Sequence, residues 1–269
     1  EEGFGYTYKW DSVENTLNLV DTKKDESILP SRYSYYDVGR LGKIKDQGIY
    51  GTCWAFASLT AVETSLMPEE KYDFSEDNMV WNSGYFGAQY DGGDYTRAIS
   101  YLASWRGPVL EEDDVYGDGI NNSDAGVVKH VQEAQIIESK NLEAVKKAVF
   151  LYGGVESSLY TSMSYAGERS MYYNDKNYSY CYIGTKKPNH DVVIIGWDDN
   201  YSKDNFSVSL EGNGAFICVN SWGDSFGDDG LFYVSYYDSN IGIHNVVYTR
   251  VEDNDNYDNI YQSDLCGWL

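Results

Sequence analysis

The hydrophobic pattern of this 269-residue chain changes from helical to strand-like about halfway along. In residues 53–67 the apolar side chains of Ala55, Leu59, Val62 and Leu66 are spaced four, three and four residues apart, so they share one helix face. In the second half, short β-branched or aromatic runs end at Gly, Asn or Asp, which is typical of strands. This order predicts an α+β fold of two packed subdomains with a cleft between them.

Local signals predict the individual elements. Further helices are expected over residues 95–105 and 141–151, and strands over 192–195, 215–219 and 231–235. Thr52 is a candidate N-cap for the first helix, and Asn141 for the helix over 141–151.

The charge balance excludes several classes of function. With 43 acidic and 20 basic residues the net charge is −23, and the sequence pI is about 4.3. Such a chain does not bind nucleic acid by neutralising phosphates, and it does not dock electrostatically on anionic lipid. No apolar run is long enough to cross a bilayer.

Metal and cofactor sites are not predicted. The four cysteines are far apart and form no Cys-x-x-Cys pair. The acidic residues 111–114 with Asp118 could bind calcium, but they do not match the EF-hand pattern, and a solvated acidic loop is the favoured interpretation.

Cys53 is the first candidate for catalysis, because it lies on the first turn of the predicted helix. A helix N-terminus offers unpaired N–H groups and partial positive charge, and both stabilise a thiolate. The alternative is a buried cysteine that acts as a small hydrophobic residue, which is the more common fate of a free cysteine.

A thiolate enzyme also needs an imidazole, and the chain has three histidines. His130 and His244 are expected to be structural or exposed, whereas His190 stands just ahead of a predicted strand, where scaffolds often present reactive side chains. Asn220 ends another predicted strand. Its amide can fix the tautomer of an imidazole, and Trp222 could shield that hydrogen bond from water. Otherwise Asn220 belongs to a polar turn and Trp222 to the core.

In this order, Cys53, His190 and Asn220 with their flanking motifs resemble the papain-like cysteine protease family, especially its bacterial secreted and surface-associated members. The resemblance extends over residues 29–250. Residues 74–77 resemble the family's next helix start, and Gly92-Gly93 resembles its substrate-binding glycine pair.

The resemblance implies a papain-like fold, with a helical left subdomain, an antiparallel β-barrel-like right subdomain, and the active site in the cleft. It implies that Cys53 attacks as a thiolate, that His190 is the paired imidazolium and proton donor, and that Asn220 orients His190. Gln47 and the Cys53 backbone N–H would form the oxyanion hole. Gly92 and Gly93 would let a substrate backbone pair as a strand, and Trp222 is expected near the substrate.

Three departures from the family pattern affect what is expected. Tyr50 stands where many members have a disulfide cysteine, so Cys181, Cys218 and Cys266 are expected to be free thiols. Phe226 stands where the family often has a second tryptophan, so the binding contacts on the leaving-group side of the site are not predicted. Asp191 follows the catalytic histidine where a small residue is common, and it suggests a preference for Lys or Arg two positions before the cut.

The predicted activity is that of a cysteine endopeptidase acting on protein or peptide substrates, without metal or organic cofactor. An acyltransferase or isopeptidase on cell-wall or surface crosslinks, and a non-catalytic surface binding domain, remain alternatives. The protein is expected to be a monomer, secreted or at the cell surface, that binds no nucleic acid and has no transmembrane segment.

The predicted organisation has four parts. Residues 1–28 form an extension or the remnant of an inhibitory pro-segment, and residues 29–126 form the helix-rich subdomain. Residues 127–250 form the strand-rich subdomain, and residues 251–269 form a tail that could link to a further domain.

Overall fold

This computed structural model describes residues 29–84 and 92–258 and contains one sheet of nine strands, eight of which lie within residues 129–253. The strands are β1 (Arg32–Ser34), β2 (Lys129–Ile136), β3 (Val155–Leu159), β4 (Tyr173–Asn174), β5 (Ser179–Tyr180), β6 (His190–Asp198), β7 (Ala215–Val219), β8 (Leu231–Ser235) and β9 (Asn245–Asp253). The three strands predicted from sequence are all present, and the first is extended at both ends to form β6.

The strand order is β2-β9-β3-β6-β7-β8-β5-β4, and β1 pairs with β6. Every pairing is antiparallel except that of β5 with β8. The order has two ends, β2 and β4, so the described pairings do not close the sheet into a barrel. The α+β, papain-like fold expected from the sequence is confirmed.

Five α-helices accompany the sheet within the described residues. They are α1 (Tyr35–Val38), α2 (Cys53–Leu66), α3 (Glu76–Asn82), α4 (Tyr95–Ala103) and α5 (Leu142–Leu151). Side chains of Ser75, Asp94 and Asn141 accept hydrogen bonds from backbone N–H groups at the starts of α3, α4 and α5. The predicted Asn141 cap is therefore present, and residues 74–77 do lead into a helix.

Helix α2 is more completely buried than its sequence pattern predicts. Leu59 and Val62 are fully buried, but so are Ser58 and Ala61 on other sides of the helix. The reason is that α2 packs against β3, β6 and β9 as well as α3 and α4. A helix enclosed by several elements has no solvent-facing side, so a single apolar stripe underestimates its burial.

Two local predictions are corrected by the structure. The Thr52 side chain does not cap α2; its hydroxyl lies 2.7 Å from that of Tyr116. Strand β1 belongs to the sheet although it lies in the predicted helix-rich part, and Pro30 joins it there by accepting a 2.9 Å hydrogen bond from Trp197 Nε1. Residues 30–34 are thus fastened to β6, which belongs to the strand-rich half of the sequence.

Within residues 29–84 and 92–258, no helix is long and apolar enough to cross a membrane. Cys181 and Cys218 are buried free thiols, as expected, whereas Cys266 lies outside the described residues. The predicted extension at 1–28 and the end of the predicted tail also lie outside them.

Candidate active site

Cys53 begins the long helix α2 and is half-buried. The backbone N–H groups of Trp54 and Asp191 lie near its sulfur and favour the thiolate, which lowers the pKa of Cys53 relative to burial alone. The second donor lies at the start of β6, one residue after His190. Packing of α2 on β6 therefore brings the predicted nucleophile and the predicted imidazole to the same place.

His190 is 6% exposed, and its Nε2 lies 2.8 Å from Asn220 Oδ1. Because an amide oxygen only accepts, the imidazole carries its proton on Nε2 and leaves Nδ1 as the basic nitrogen. Asn220 Oδ1 also accepts from the Ser221 backbone N–H at 2.8 Å, which fixes the amide orientation. The Asn220 side chain thus holds the His190 ring in one orientation, while the catalytic role of the pair stays a prediction.

Burial shifts the acid–base properties of both groups. Desolvation, together with the negative charge of Asp191, raises the pKa of Cys53 to about 12, although the two backbone N–H donors act in the opposite direction. Desolvation lowers the pKa of His190 to about 4, and its hydrogen bond to Asn220 opposes this. Both shifts favour the neutral forms, so a thiolate at Cys53 depends on proton transfer to His190.

Aromatic rings cover the imidazole. The Trp222 ring stacks on His190 with centroids 4.8 Å apart, and Phe226 meets Trp222 edge-on at 5.0 Å. Trp222 is only 4% exposed. Trp222 therefore covers one face of the imidazole, while shielding of the His190–Asn220 hydrogen bond and contact of Trp222 with substrate stay predictions.

Gln47 is held on both sides of its side-chain amide. Its Nε2 donates to the Tyr50 carbonyl at 2.7 Å, and its Oε1 accepts from the Ser221 hydroxyl at 2.5 Å. The Gln47 carbonyl accepts from the Tyr116 hydroxyl at 2.9 Å. One N–H of the amide remains for an oxyanion, since Nε2 carries two protons.

Gly92 and Gly93 are required by the fold for reasons that differ from the one predicted. Gly92 has φ of +75°, a conformation that favours glycine. A Cβ on Gly93 would lie 2.6 Å from Trp54 Nε1, so the glycine allows this segment to lie against the residue that follows Cys53. Substrate pairing along the two glycines stays a prediction.

The Asp191 side chain is buried near Cys53, next to another buried polar side chain. It is 7% exposed, and it accepts a 2.6 Å hydrogen bond from the Ser158 hydroxyl. Burial raises its pKa to about 7. Glu156 on β3 lies on the same face of the sheet and is 2% exposed.

The other two histidines lie outside this constellation. His130 is fully buried in β2 and stacks on Trp105 with centroids 3.7 Å apart. The His244 ring lies 6.1 Å from that of Tyr95. Both positions fit the structural roles expected for these two residues.

Carboxylates of the acidic tract at residues 111–118 accept hydrogen bonds from nearby backbone and side-chain groups. Asp114 accepts hydrogen bonds from the Asn78 side chain and the Asn122 backbone, and Asp118 accepts from the Ile120 backbone. Across the part of the chain that the structure describes, no group of three or more His, Cys, Asp or Glu side chains is placed to hold a metal ion.

Sequence reasoning missed Ser221, Tyr116 and Glu156. Ser221 could have been noticed as the hydroxyl beside Asn220. Glu156 lies in the segment 155–159, Val-Glu-Ser-Ser-Leu, whose mixed polarity gives no local sign that the carboxyl is buried. Nothing in the local sequence points to Tyr116, because its two hydrogen bonds join segments more than 60 positions away.

A cysteine at a helix N-terminus and an imidazole hydrogen-bonded to an amide form the set of groups expected for a papain-like cysteine peptidase. The chain belongs to the papain family: the family described as papain family cysteine protease matches residues 29–251. It is a papain-like cysteine peptidase.

Curated relatives are similar over most of this chain. A cysteine protease of Blomia tropicalis is 27% identical over 270 residues, covering 92% of this chain and 75% of the relative. Falcipain-3 of Plasmodium falciparum is 27% identical over 232 residues, covering 84% of this chain but 44% of the relative.

Solved structures agree with the fold. The cysteine protease and lectin-like domains of Cwp84, a surface layer associated protein of Clostridium difficile, align with a TM-score of 0.79 and 32% identity, over 90% of this chain and 56% of that one. Bromelain of Ananas comosus, at 21% identity and a TM-score of 0.63 over 82% of this chain and 99% of that one, shows the fold alone. The chain thus spans little more than half of the clostridial structure. These matches carry the names of proteases and give no specific support to the transferase, isopeptidase or binding-domain alternatives.

Proposed function

We propose that this chain is an endopeptidase that cleaves internal peptide bonds of protein substrates through a thioester on Cys53. The supporting observation is the 2.8 Å hydrogen bond between His190 Nε2 and Asn220 Oδ1. It leaves Nδ1 as the base, and the backbone N–H of Asp191, the residue after His190, favours the thiolate form of Cys53.

In the acylation step, the Cys53 thiol proton passes to His190 Nδ1, which forms the thiolate–imidazolium pair. The thiolate attacks the carbonyl carbon of the substrate. The resulting oxyanion accepts hydrogen bonds from the Cys53 backbone N–H and from the remaining N–H of the Gln47 amide. The C–N bond then breaks, and His190 gives its Nδ1 proton to the leaving amine.

In the deacylation step, neutral His190 removes a proton from water as the water oxygen attacks the thioester carbon. The second oxyanion uses the same two donors. Collapse breaks the C–S bond, the sulfur leaves as a thiolate, and the imidazolium returns the proton to it. Each cycle consumes one water and regenerates the enzyme.

The experiment compares the wild type with Cys53→Ala on an internally quenched peptide blocked at both ends. We expect wild type to cleave inside the peptide and to be labelled once, at Cys53, by an epoxysuccinyl thiol reagent. Cys53→Ala should lose both properties and keep its thermal unfolding profile. Cys181→Ala is the matched control, because Cys181 is fully buried in a separate small cluster, and it keeps both.

Full cleavage by Cys53→Ala would refute the assignment. A main product that carries an added amine in place of a new carboxylate would contradict hydrolysis.

We propose that residues 1–28 act as a pro-segment that is removed near residue 29. Support comes from the family match, which begins at residue 29, and from the fastening of Pro30 and Ser31 to the end of β6. N-terminal mapping during incubation tests this: wild type should gain a new terminus near residue 29, and Cys53→Ala should not. An unchanged wild-type terminus in fully active protein contradicts it.

We propose a location outside the cell or on its surface. This rests on the similarity to the clostridial surface layer associated protease. Fractionation of the source cells tests it, and recovery only in the cytosol would contradict it.

A further inference from the structure

Arg97 is a buried cation in the first turn of α4, just after the glycine pair. Its guanidinium donates through Nη1 to the Gly92 carbonyl and through Nη2 to the Ser83 hydroxyl at 3.3 Å. Arg97 is only 9% exposed. Asp94 caps the helix by accepting from the Thr96 backbone N–H at 2.8 Å, so the turn that carries Arg97 begins at a defined position.

The same guanidinium lies over the ring of Trp54, the residue that follows Cys53. Its Cζ is 4.7 Å from the ring centroid, which is the geometry of a cation–π contact. Gly93 lies against the same ring, since a Cβ at this position would be 2.6 Å from Trp54 Nε1. Trp54 is 1% exposed. It therefore gives Arg97 and Gly93 a common packed surface next to the predicted nucleophile.

The peptide groups of Gly93 are available to a ligand, whereas the carbonyl of Gly92 is engaged. Gly93 is exposed, and neither its N–H nor its C=O hydrogen-bonds to another residue in the ranges 29–84 and 92–258. The Gly92 carbonyl accepts from Arg97. An extended backbone that approaches this segment thus meets an unused donor and an unused acceptor at Gly93.

We propose that Arg97 is a positioning residue for substrate, which holds the Gly92 carbonyl against the Trp54 ring and so fixes Gly93 as the edge where an extended peptide pairs. This inference rests on the proposed function. A guanidinium suits the role because it is planar, donates in two directions and can rest its face on an aromatic ring. Arg97 reaches Cys53 only through Trp54, so we expect it to affect how substrate is placed and not how the thiolate forms.

The first experiment measures steady-state kinetics of wild type and Arg97→Met on one internally quenched peptide. We expect KM to rise about tenfold, the scale of one charge-assisted hydrogen bond, while kcat changes less than about twofold. Alkylation of Cys53 by iodoacetamide needs no pairing with a backbone, so its rate should stay within about twofold of wild type. Arg97→Lys keeps a cation but loses the planar fork, and it should raise KM at least about threefold.

A second experiment locates the pairing with N-methylated peptides. Each of the three residues before the cut is N-methylated in turn, which removes one backbone donor from the substrate. In wild type, one position should lose about tenfold in kcat/KM, because its N–H pairs with the Gly93 carbonyl. In Arg97→Met that loss should fall to about threefold or less, since the edge is no longer held in place.

Arg106→Met is the matched control. Arg106 also donates through Nη1 to a backbone carbonyl, that of Asn82 at 2.8 Å, in a hydrogen bond that involves neither Gly92 nor Trp54. Its loss should lower the melting temperature but leave KM and the N-methylation pattern as in wild type. Melting curves show which variants are folded, and where Arg97→Met is not, Arg97→Lys decides.

An unchanged KM in folded Arg97→Met and Arg97→Lys overturns the positioning role, as does a wild type that tolerates N-methylation at every position. An equal rise of KM in Arg106→Met, or alkylation of Cys53 that slows as much as KM rises, also overturns it. In these cases cleavage and labelling of Cys53 by wild type still support the peptidase. Absence of both in folded wild type would instead overturn the proposed function.

Discussion

The hydroxyl of Ser221 donates to the side-chain oxygen of Gln47 at 2.5 Å, and the Gln47 backbone N–H donates to the Ser221 carbonyl at 2.8 Å. These two bonds join the segment before α2 to the segment after β7. They link the proposed oxyanion donor to the residue that follows Asn220. The position of the proposed oxyanion donor therefore depends on the segment that carries Asn220.

Ser221→Ala should lower kcat by about fivefold with little change in KM, because it removes a hydrogen bond worth about 1 kcal/mol that positions the Gln47 amide. Gln47→Ala should cost more, about 100-fold, since it removes the donor itself. Steady-state kinetics on one blocked peptide measures both. A loss in Ser221→Ala that appears only in KM would contradict a positioning role.

His190→Ala should slow alkylation of Cys53 by iodoacetamide at pH 7.5 by about 100-fold, the scale of a lost general base. Burial raises the pKa of Cys53 to about 12, so without an imidazole to take the proton the thiol stays protonated. The rate is followed by mass spectrometry of the Cys53 peptide. Cys218 is buried in the core and serves as an internal control that stays unmodified in both proteins. Equal rates in the two proteins would count against His190 as the base.

The acid limb of kcat/KM should lie near pH 4, well below the ordinary histidine value of 6.5. Burial lowers the pKa of His190 to about 4, so the imidazole stays unprotonated, and able to take the thiol proton, until the pH falls that far. The same shift means that stability contributed by neutral His190 is full above pH 6.5 and is lost as the pH falls through 4. A pH–rate profile on a neutral peptide locates the limb. An acid limb at pH 6.5 would show that His190 has the pKa of a solvated histidine.

Lys45→Met should destabilise the protein by about 3–5 kcal/mol, the usual cost of leaving buried carboxylates unpaired. Lys45 Nζ lies 2.7 Å from Glu63 and 2.8 Å from Glu76, and all three side chains are at most 8% exposed. Lys43→Met is the matched control, because Lys43 is 76% exposed and should matter little. Denaturant unfolding compares the two variants, and equal midpoints would show that Lys45 does not stabilise the fold by pairing with Glu63 and Glu76.

Gly93→Ala should lower both stability and activity, because its Cβ would collide with the Trp54 ring beside Cys53. A clash of this kind costs about 1–3 kcal/mol. Gly42→Ala is the control, since a Cβ at Gly42 meets open space. Melting temperature and kcat/KM are measured on both variants. Unchanged values for Gly93→Ala would mean that the segment around Gly93 shifts away from Trp54 at no cost.

Much of the site could be predicted because its residues carry local signals. Cys53 lies at a helix start with a clear apolar period, and His190 and Asn220 lie at strand ends marked by polar neighbours. Pairing of Val193 with Val219 then brings the start of β6 beside the end of β7. The chemistry of Cys53, His190 and Asn220 and their order along the chain therefore predict their roles without reference to any contact.

The Thr52 cap shows where local reasoning fails. Threonine before a helix is a good cap in isolation, but Thr52 is fully buried and its hydroxyl is engaged by Tyr116 from a distant loop. Long-range packing decided the outcome, because a buried hydroxyl bonds to whatever the fold places beside it.

The sequence by itself determined the kinds of groups available to this protein, the helix that carries the thiol, and the strands that carry the imidazole and the amide. Only the tertiary structure decided that Glu156 lies beside Asp191, that Ser221 fastens Gln47, and that burial shifts the pKa values of Cys53 and His190 in opposite directions. The physical reason is that periodicity along a chain specifies which way a side chain points, whereas strand register and desolvation depend on segments far apart in sequence.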